Sequence, residues 1–464
     1  MSKTNDKIQT KSDNNEVILK VNNLKQYFKS GFGRNKILVK AVDDVSFEIK
    51  KGEVFSLVGE SGCGKTTTGR TIIKLYKSSG GEIYFHNTRI LSDVKAAKKE
   101  FKESMKAARI DLRTKKISRD RFDALKKEAK EKLKLAKKDK NFENILDAKG
   151  IQASKNIESL EEYKTIDENY SERIKLSEKK IKELLDAKKE KNINKENLKE
   201  TNLEIKKETK NLNLNKLRKK QDINNLKYRL VNKNKLLMRK MQMIFQDPIA
   251  SLNPRMTVKE IIAEGLRING YKNEEVIDKK VKEALETVGL VSEHASRYPH
   301  EFSGGQRQRI GIARSLVVEP SFIVADEPIS ALDVSIRAHI INLLNELREK
   351  KGITILFIAH DLSVVKYFSD RLAVMYFGKI VEIGDKDKIF NNPMHPYTLS
   401  LLDSIPLPDP LYEKRRESLS KYNPYSDHDY SKEKPLLRKI EEDHYVLCNS
   451  DEYEKYVKRL KKWI

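Results

Sequence analysis

Residues 59–66 read Gly59-Glu60-Ser61-Gly62-Cys63-Gly64-Lys65-Thr66, and an apolar run from Val54 to Val58 stands directly before them. They fit the pattern G-x-x-x-x-G-K-[ST], and the apolar run predicts the buried strand that precedes such a loop. Glycines let successive backbone N–H groups turn toward a phosphate, while Lys65 reaches the terminal oxygens and the Thr66 hydroxyl can ligate Mg²⁺ at a helix N-terminus. The stretch therefore predicts an α/β nucleotide-binding fold whose phosphate site runs from Gly59 to Thr67.

Two carboxylates follow another apolar run farther along the chain. Phe322-Ile323-Val324-Ala325 leads into Asp326 and Glu327, and open α/β sheets bind their ligands at the carboxyl ends of such strands. We expect Asp326 to hold the Mg²⁺ shell and Glu327 to polarise an attacking water. The pair could instead cap the strand and begin the next loop, but the phosphate loop upstream favours the catalytic interpretation.

Between these two motifs lies Phe302-Ser303-Gly304-Gly305-Gln306, followed by a segment with apolar residues at helical spacing. Ser303 is therefore predicted to cap a helix, so that its hydroxyl and the exposed N–H groups of the next residues form an anion site. Taken alone, Ser-Gly-Gly would more often be an ordinary turn and cap. Its position after a phosphate loop and before an Asp-Glu strand end makes the signal specific.

Motifs in this order resemble those of the nucleotide-binding subunit of ATP-binding-cassette (ABC) transporters. The resemblance implies a P-loop NTPase domain of the ABC type, with a mixed sheet core and a helical subdomain. It also assigns the remaining family positions, which are the Q-loop glutamine Gln246, the D-loop Asp333, the switch histidine His360 and the adenine-stacking Tyr27, with Phe28 as the alternative one residue on. Each would be weak alone, since His360 could be a satisfied strand-end histidine and Tyr27 could be plain core.

The resemblance implies ATP as the nucleotide and Mg²⁺ as its metal, with Thr66, Gln246 and Asp326 as the residues that hold the metal. A signature helix of this family does not face its own phosphate loop. Ser303 and Gly305 are therefore expected to close on ATP held by a second ATPase subunit, expected to be a different chain. Two transmembrane permease subunits and, indirectly, an extracellular substrate-binding protein would complete a complex in which this chain is peripheral, at the cytoplasmic face of the cell membrane.

The flanking segments narrow the resemblance. Residues 246–257, which read Gln-Asp-Pro-Ile-Ala-Ser-Leu-Asn-Pro-Arg-Met-Thr, resemble the Q-loop extension of oligopeptide and dipeptide importers. Residues 392–398 and 405–410 resemble the start of their C-terminal extension, and residues 443–448 resemble its end. The resemblance implies ATP hydrolysis coupled to peptide import, although similar ATPases also serve other small solutes such as nickel.

Length, apolar runs and cysteines set limits on this interpretation. Each motif occurs once in the 464 residues, so one ATPase core is expected. No apolar run approaches the roughly 18 residues that span a bilayer and no secretory leader is visible, so a transport role requires separate membrane subunits. Cys63 and Cys448 are too few for a disulfide framework or a metal site. Some peptide-importer ATPases carry a C-terminal cysteine cluster that could hold iron and sulfur, and none is expected here.

The formal charge of +25 suggests a nucleic-acid ligand, but its location argues otherwise. Residues 92–236 carry 43 Lys and Arg against 26 Asp and Glu, which places +17 in one segment. The segment has one glycine, Gly150, no proline, and apolar residues at helical spacing. This pattern predicts long amphipathic helices folded back near Gly150 or in the Asn-rich stretches, and two helices of about 60 residues would each reach about 90 Å.

Three interpretations of this inserted arm stay open: a solvated Lys-rich helical hairpin, a basic surface that contacts anionic headgroups or acidic partner segments, or disorder. DNA-acting ABC ATPases of the chromosome-maintenance type also carry long helical insertions, but theirs lies between Q-loop and signature, whereas this one precedes Gln246. Ribosome-binding ABC proteins carry two cores. Both classes are therefore disfavoured, and no specific nucleic-acid partner is expected.

The expected organisation follows chain order. It comprises a polar N-terminal tail (1–16), the first part of the ABC ATPase core (17–91), the Lys-rich helical or coiled-coil-like insertion (92–236), the second part of the core (237–390) and the C-terminal extension of the oligopeptide-importer type (391–464).

Overall fold

The computed structural model describes residues 16–30, 37–91, 94–114, 117–140, 160–188, 195–231, 233–330, 332–404 and 422–461. Most of the predicted tail at 1–16, the fold-back predicted at Gly150 and residues 405–410 of the C-terminal motif lie outside these stretches. The chain divides into two compact units, one formed by residues 1–140 and 238–464 and the other by residues 141–237.

The first unit contains two sheets. In chain order, its described strands are β1 (Val17–Ser30), β2 (Ile37–Lys50), β3 (Val54–Val58), β4 (Gly80–Phe85), β5 (Thr88–Leu91), β6 (Met241–Ile244), β7 (Phe322–Asp326), β8 (Thr354–Ile358), β9 (Arg371–Tyr376), β10 (Lys379–Asp385), β11 (Leu436–Glu441) and β12 (His444–Cys448). The larger sheet has the order β11-β12-β10-β9-β3-β8-β7-β6, and the smaller one has the order β2-β1-β4-β5.

In the larger sheet, the five strands from β9 to β6 are parallel, and the other three continue it antiparallel. β3, β7 and β8 are buried at every position, which fits their predominantly apolar sequences and a sheet covered on both faces. The smaller sheet is antiparallel and packs on the larger one. Phe47 of β2 stacks on Phe55 of β3 with ring centroids 5.1 Å apart.

Among the described residues, the helices are α1 (Lys65–Ile72), α2 (Val94–Arg113), α3 (Arg119–Lys140), α4 (Glu161–Ala187), α5 (Lys195–Val231), α6 (Lys233–Arg239), α7 (Pro248–Ser251), α8 (Val258–Ile268), α9 (Glu274–Thr287), α10 (Gly304–Leu316), α11 (Val334–Lys351), α12 (Leu362–Phe368), α13 (Lys386–Asn391), α14 (Pro396–Asp403) and α15 (Ser450–Lys461). Two 3-10 turns lie at Ser292–Ser296 and Pro299–Glu301. No helix in the described part of the chain is long and apolar enough to cross a membrane.

Helices α7 to α10 lie between β6 and β7 and form the helical subdomain. Their starts are set by side chains that accept backbone hydrogen bonds, with Asp247 and Asn273 as caps and full capping boxes at Thr257 and Ser303. Apolar residues of α8, α9 and α10 join one buried core with those of the larger sheet. The mixed larger sheet and the helical subdomain confirm the predicted fold class.

The described part of residues 92–236 is helical, but the helices are shorter than the 60 residues considered from the sequence. The longest of the described helices, α5, has 37 residues, whereas α2 ends at Arg113 and α4 ends at Ala187. Residues 94–140 also belong to the first unit, although the sequence pattern assigned them to one arm with the rest. When apolar residues keep helical spacing throughout a Lys-rich segment, the sequence does not indicate where one helix ends and the next begins.

In the second unit, α4 and α5 form an antiparallel hairpin. The Tyr170 hydroxyl donates to Asp222 at 2.7 Å, and the Ser177 hydroxyl donates to Glu208 at 3.1 Å. Lys216 forms an ion pair with Glu178 at 2.9 Å. These contacts fix the register, while exposed pairs of this kind each contribute little stability.

Candidate active site

The phosphate loop leaves β3 at Gly59 and enters α1 at Lys65. Gly59, Gly62 and Gly64 have positive φ angles of 144°, 81° and 110°, which residues with a Cβ rarely adopt. A Cβ on Gly64 would lie 2.2 Å from the backbone oxygen of Ala41. The glycine pattern therefore has a steric cause, because the loop turns sharply and rests against neighbouring backbone.

The predicted phosphate-site residues differ in exposure. Glu60, Ser61 and Gly62 are exposed, Gly59, Cys63, Gly64 and Lys65 are buried, and Thr66 and Thr67 are half-buried in the first turn of α1. The Lys65 ammonium donates to the backbone oxygens of Gly59 at 2.7 Å and Glu60 at 2.9 Å. The buried charge is thus satisfied within the loop itself, at the place where a phosphate is expected.

Asp326 lies at the end of β7 and is fully buried. Its Oδ1 accepts a hydrogen bond from the Thr66 hydroxyl at 2.7 Å, and its Oδ2 lies 3.6 Å from a guanidinium nitrogen of Arg70 without a hydrogen-bond partner. Burial raises the pKa of Asp326, although Thr66 and Arg70 act in the opposite direction. A buried carboxylate with an unsatisfied oxygen beside a threonine hydroxyl is a donor set that suits Mg²⁺.

Gln246, Glu327 and His360 meet at one edge of the larger sheet. The Gln246 amide donates to Oε2 of Glu327 at 2.9 Å, and Nδ1 of His360 lies 3.3 Å from the same oxygen. The three residues follow β6, β7 and β8 in the chain, and these strands are parallel neighbours, so their carboxyl ends share an edge. The Glu327 N–H donates to the backbone oxygen of Ile358 at 3.0 Å, which fixes the residue at this edge.

Ser303 caps α10 as the sequence predicts. Its hydroxyl accepts from the Gln306 N–H at 3.4 Å, and the Gln306 side chain accepts from the Ser303 N–H at 3.0 Å. Ser303 and Gly304 are exposed, whereas Gly305 is buried and a Cβ there would lie 2.6 Å from Ile336. Among the described residues, Ser303 and Gln306 bond to each other rather than to residues 59–67.

Asp333 and Tyr27 are the two remaining predicted residues. Asp333 is exposed at the start of α11 and makes no side-chain cap. The Tyr27 hydroxyl donates to Asp43, and Lys40 lies 5.7 Å from the Tyr27 ring. Phe28 beside it is 38% exposed, so the choice between these two aromatics stays open.

Both cysteines are buried free thiols. Burial raises the pKa of Cys63 in spite of Lys65 nearby, and burial raises the pKa of Cys448 to about 12. Both groups therefore remain protonated near neutral pH. The expectation that Cys448 takes part in no iron–sulfur cluster stays a prediction.

Two residues at the site were not found from the sequence. The Tyr397 hydroxyl accepts a hydrogen bond from the Glu60 N–H at 3.0 Å. Arg314 in α10 donates to the backbone oxygen of Ser251 at 2.6 Å, and its guanidinium lies 5.5 Å from the Phe245 ring. Tyr397 falls within the quoted stretch 392–398, but no spacing rule connects either side chain with its partner.

Comparison with known proteins identifies the family of this chain. A family model described as "ABC transporter" matches residues 42–209 and 205–330. The chain belongs to the ABC transporter family. A second model, described as "Oligopeptide/dipeptide transporter, C-terminal region", matches residues 381–432 of this ABC chain.

Curated relatives of this ABC chain cover nearly all of it. It is 40% identical over 442 residues to the oligopeptide transport ATP-binding protein OppF of Bacillus subtilis, covering 95% of this chain and 99% of that one. It is 37% identical over 449 residues to OppF of Streptococcus mutans, covering 97% and 100%. Among solved structures, an ATP-binding cassette bound to ADP and phosphate aligns at 20% identity with a TM-score of 0.44, covering 79% of this chain and 98% of that one, which is too weak to add to the assignment.

Proposed function

We propose that this chain is the ATP-binding and ATP-hydrolysing subunit that energises an ABC importer of oligopeptides or dipeptides. The observation that carries the ATPase assignment is the meeting of Gln246 and His360 on Glu327, at the sheet edge that also holds Asp326. The family match over residues 381–432 and the names of the relatives support peptides as the cargo.

The three residues predicted from the sequence to hold Mg²⁺ are chemically suited to it. Asp326 offers a buried oxygen without a hydrogen-bond partner, Thr66 offers a hydroxyl in contact with that carboxylate, and Gln246 lies beside Glu327. These three residues would hold the ion together with phosphate oxygens. When bound, Mg²⁺ neutralises charge on the terminal phosphates of ATP.

The chain's own residues supply positioning for phosphoryl transfer. Lys65 exchanges its two loop carbonyls for phosphate oxygens, so that its charge faces the γ-phosphate. Glu327 orients the attacking water and accepts its proton, with Gln246 and His360 holding the carboxylate from two sides. Because Gln246 and His360 already hold the Glu327 carboxylate, that group needs little reorganisation when charge develops in the transition state.

A second ATPase subunit is proposed to complete each site. Ser303 and Gly305 are proposed to close on a nucleotide held by another chain. The exposure of Ser303 and Gly304 at the cap of α10 supports this, while Gly305 is buried in the first turn of the same helix. Asp333, exposed at the start of α11, would lie in the loop between the two subunits. Two transmembrane permease subunits would carry the transport path, with this chain bound to them at the cytoplasmic face of the membrane, and an extracellular binding protein would deliver cargo to them.

Adenine is proposed to stack on Tyr27 or Phe28. The Tyr27 hydroxyl is bound to Asp43, which fixes its ring, whereas Phe28 is the more exposed of the two. The two candidates are distinguished by measuring the ATP affinity of the Tyr27→Ala and Phe28→Ala variants. The variant that lacks the stacking ring should lose a binding free energy of about 1–3 kcal/mol, and the other variant should not.

The five segment boundaries and a contact of residues 92–236 with membrane or partner also stay proposals. Within this insertion, residues 92–140 carry 19 Lys and Arg against 9 Asp and Glu, whereas residues 141–236 carry 24 against 17. A basic contact surface is therefore better supported for α2 and α3 than for the α4–α5 hairpin.

The proposed function is tested on the complex purified from native membranes and reconstituted into proteoliposomes. We expect ATP-dependent uptake of labelled oligopeptides, and loss of that uptake when the chain carries Glu327→Gln. ATP hydrolysis without peptide uptake would contradict the cargo assignment. A complex that neither binds nor hydrolyses ATP would contradict the ATPase assignment itself.

A further inference from the structure

Tyr397 connects the C-terminal extension with the phosphate loop. Its hydroxyl accepts a hydrogen bond from the Glu60 N–H at 3.0 Å, and the residue is only 2% exposed. The Glu60 N–H belongs to the same peptide unit as the Gly59 carbonyl, which accepts from Lys65 at 2.7 Å. One peptide of the loop is therefore held at both of its polar atoms, by Lys65 on one side and by Tyr397 on the other.

The start of α14, which carries Tyr397, is fixed to the larger sheet. The buried carboxylate of Glu382 in β10 accepts from the N–H groups of Met394 at 2.9 Å and His395 at 3.0 Å. Nδ1 of His395 in turn accepts from the Tyr397 N–H at 3.1 Å, and the Tyr376 ring packs 4.5 Å from the Tyr397 ring. β10 pairs with β9, and β9 pairs with β3, the strand that leads into the phosphate loop. Tyr397 and the loop are therefore held by neighbouring strands of one sheet.

Burial also determines the chemical state of this contact. It raises the pKa of Tyr397 above its ordinary value, so the hydroxyl stays neutral and protonated at physiological pH. A neutral hydroxyl can accept from the Glu60 N–H without bringing a negative charge next to the phosphate site. The contact is thus compatible with an anionic ligand in the loop.

We propose that Tyr397 is a positioning residue of the nucleotide site, which fixes the Gly59–Glu60 peptide before ATP binds. Lys65 has to leave the Gly59 and Glu60 carbonyls to reach a phosphate, and the bond to Tyr397 then still holds the peptide. A loop ordered in advance loses less conformational entropy on binding. This inference rests on the proposed ATP-binding function and makes the C-terminal extension a part of that site.

The test compares Tyr397→Phe with Tyr422→Phe in the full-length chain. Both changes remove one hydroxyl from the same aromatic cluster, in which the Tyr422 ring lies 5.5 Å from the Tyr397 ring. Among the hydrogen bonds of the described residues, only the Tyr397 hydroxyl joins this cluster to Glu60. We expect Tyr397→Phe to weaken MgATP binding about three- to tenfold by titration calorimetry, and Tyr422→Phe to leave it unchanged.

Two further measurements separate positioning from general stability. In the assembled complex, Tyr397→Phe should raise the KM for ATP with little change in kcat, because bound nucleotide orders the loop again. In the nucleotide-free chain, amide hydrogen exchange should accelerate in residues 54–64 and stay unchanged in β7 and β8.

Wild-type ATP affinity and loop exchange in Tyr397→Phe would overturn the inference. So would an equal effect of Tyr422→Phe, or faster exchange in β7 and β8 together with the loop, since either would show a role in the whole fold. Failure of the wild-type chain to bind ATP would instead refute the proposed function on which the inference rests.

Discussion

Glu327 is the residue on which the candidate site converges. Its backbone has a φ of 44°, a left-handed conformation that costs a residue with a side chain on the order of 1 kcal/mol. The sheet compensates, because the Glu327 N–H is bound to the Ile358 carbonyl and its carboxylate meets Gln246 and His360. The strained backbone aims the carboxylate at its two partners.

We expect Glu327→Gln to keep ATP binding and to lower ATP turnover by about a hundredfold or more. The carboxamide oxygen can still accept from Gln246, so the geometry survives, but a neutral amide cannot take the proton of the attacking water. Calorimetry measures binding, and phosphate release by the assembled complex measures turnover.

Glu319→Gln is the matched control for this change. Glu319 also has a left-handed backbone, with a φ of 56°, but its carboxylate pairs with Lys280 at the surface. Turnover near the wild-type rate is expected for the control. An active Glu327→Gln variant would place the base on another residue.

Asp326→Asn is expected to stabilise the nucleotide-free chain while abolishing Mg²⁺-dependent ATP binding. Burial raises the pKa of Asp326, so the ionised form is disfavoured in the folded state relative to the unfolded one. The charge therefore costs stability above the folded pKa and costs nothing below the unfolded pKa. An Asn oxygen can still accept from the Thr66 hydroxyl.

Thermal unfolding between pH 8 and pH 4 checks the direction of this effect, because the cost of the charge disappears only as the pH approaches the ordinary carboxyl pKa. The gain in Tm from Asp326→Asn should be largest at pH 8 and should shrink toward acidic pH. The exposed Asp403→Asn should show no such trend. A variant that is less stable than the wild type at pH 8 would contradict the argument.

At this scale, sequence reasoning succeeds where a side chain follows an apolar strand. Gln246, Glu327 and His360 each stand just after such a run, and parallel neighbouring strands bring them together. Tyr397 and Glu60 are 337 residues apart and share no pattern, so only the packing of α14 against the loop reveals their hydrogen bond.

At the scale of elements, the signature helix α10 is joined to the Q-loop segment through Arg314. This half-buried side chain donates to the Ser251 carbonyl at the end of α7 and packs on Phe245, the residue before Gln246. Burial lowers the pKa of Arg314, yet an arginine remains charged at any physiological pH. The planar guanidinium makes both contacts at once, which a lysine cannot do.

Arg314→Lys should therefore loosen the Q-loop segment without disturbing the phosphate loop. We expect faster amide exchange in residues 245–252 and unchanged exchange in residues 54–66. Arg309→Lys on the same helix is the control, because Arg309 donates to the Val288 carbonyl instead. Equal amide exchange of residues 245–252 in the two variants would show that Arg314 does not connect α10 with the Q-loop segment.

Element boundaries show where sequence patterns stop being informative. The N-terminal starts of α8 and α10 are predictable from sequence, because Thr257 and Ser303 form capping boxes with Glu260 and Gln306. The sequence between α4 and α5 contains neither glycine nor proline. No residue there is chemically obliged to stop a helix, so the helix length was overestimated.

At the scale of the whole molecule, every proposed site residue belongs to the first unit. We therefore expect a chain in which a Gly-Ser linker replaces residues 141–237 to bind ATP within about twofold of the wild-type affinity, since parts that share no contacts contribute additively. Calorimetry and thermal unfolding of the shortened chain check this.

Loss of ATP binding by a shortened chain that still unfolds cooperatively would contradict this independence. The same variant tests the proposed lipid contact, because it keeps the more basic residues 92–140. If the full-length chain associates with anionic vesicles and the shortened chain does not, the lipid contact belongs to the α4–α5 hairpin.

The position of β3 in the larger sheet also has a consequence for synthesis. Both neighbours of this strand, β8 and β9, come from the far end of the core, with Val54 paired to Ile355 and Phe55 to Arg371. A ribosome therefore releases the phosphate loop long before either partner strand exists, and the whole insertion emerges in between. A nascent chain that stops before β8 carries the complete phosphate loop but neither of the strands that pair with β3.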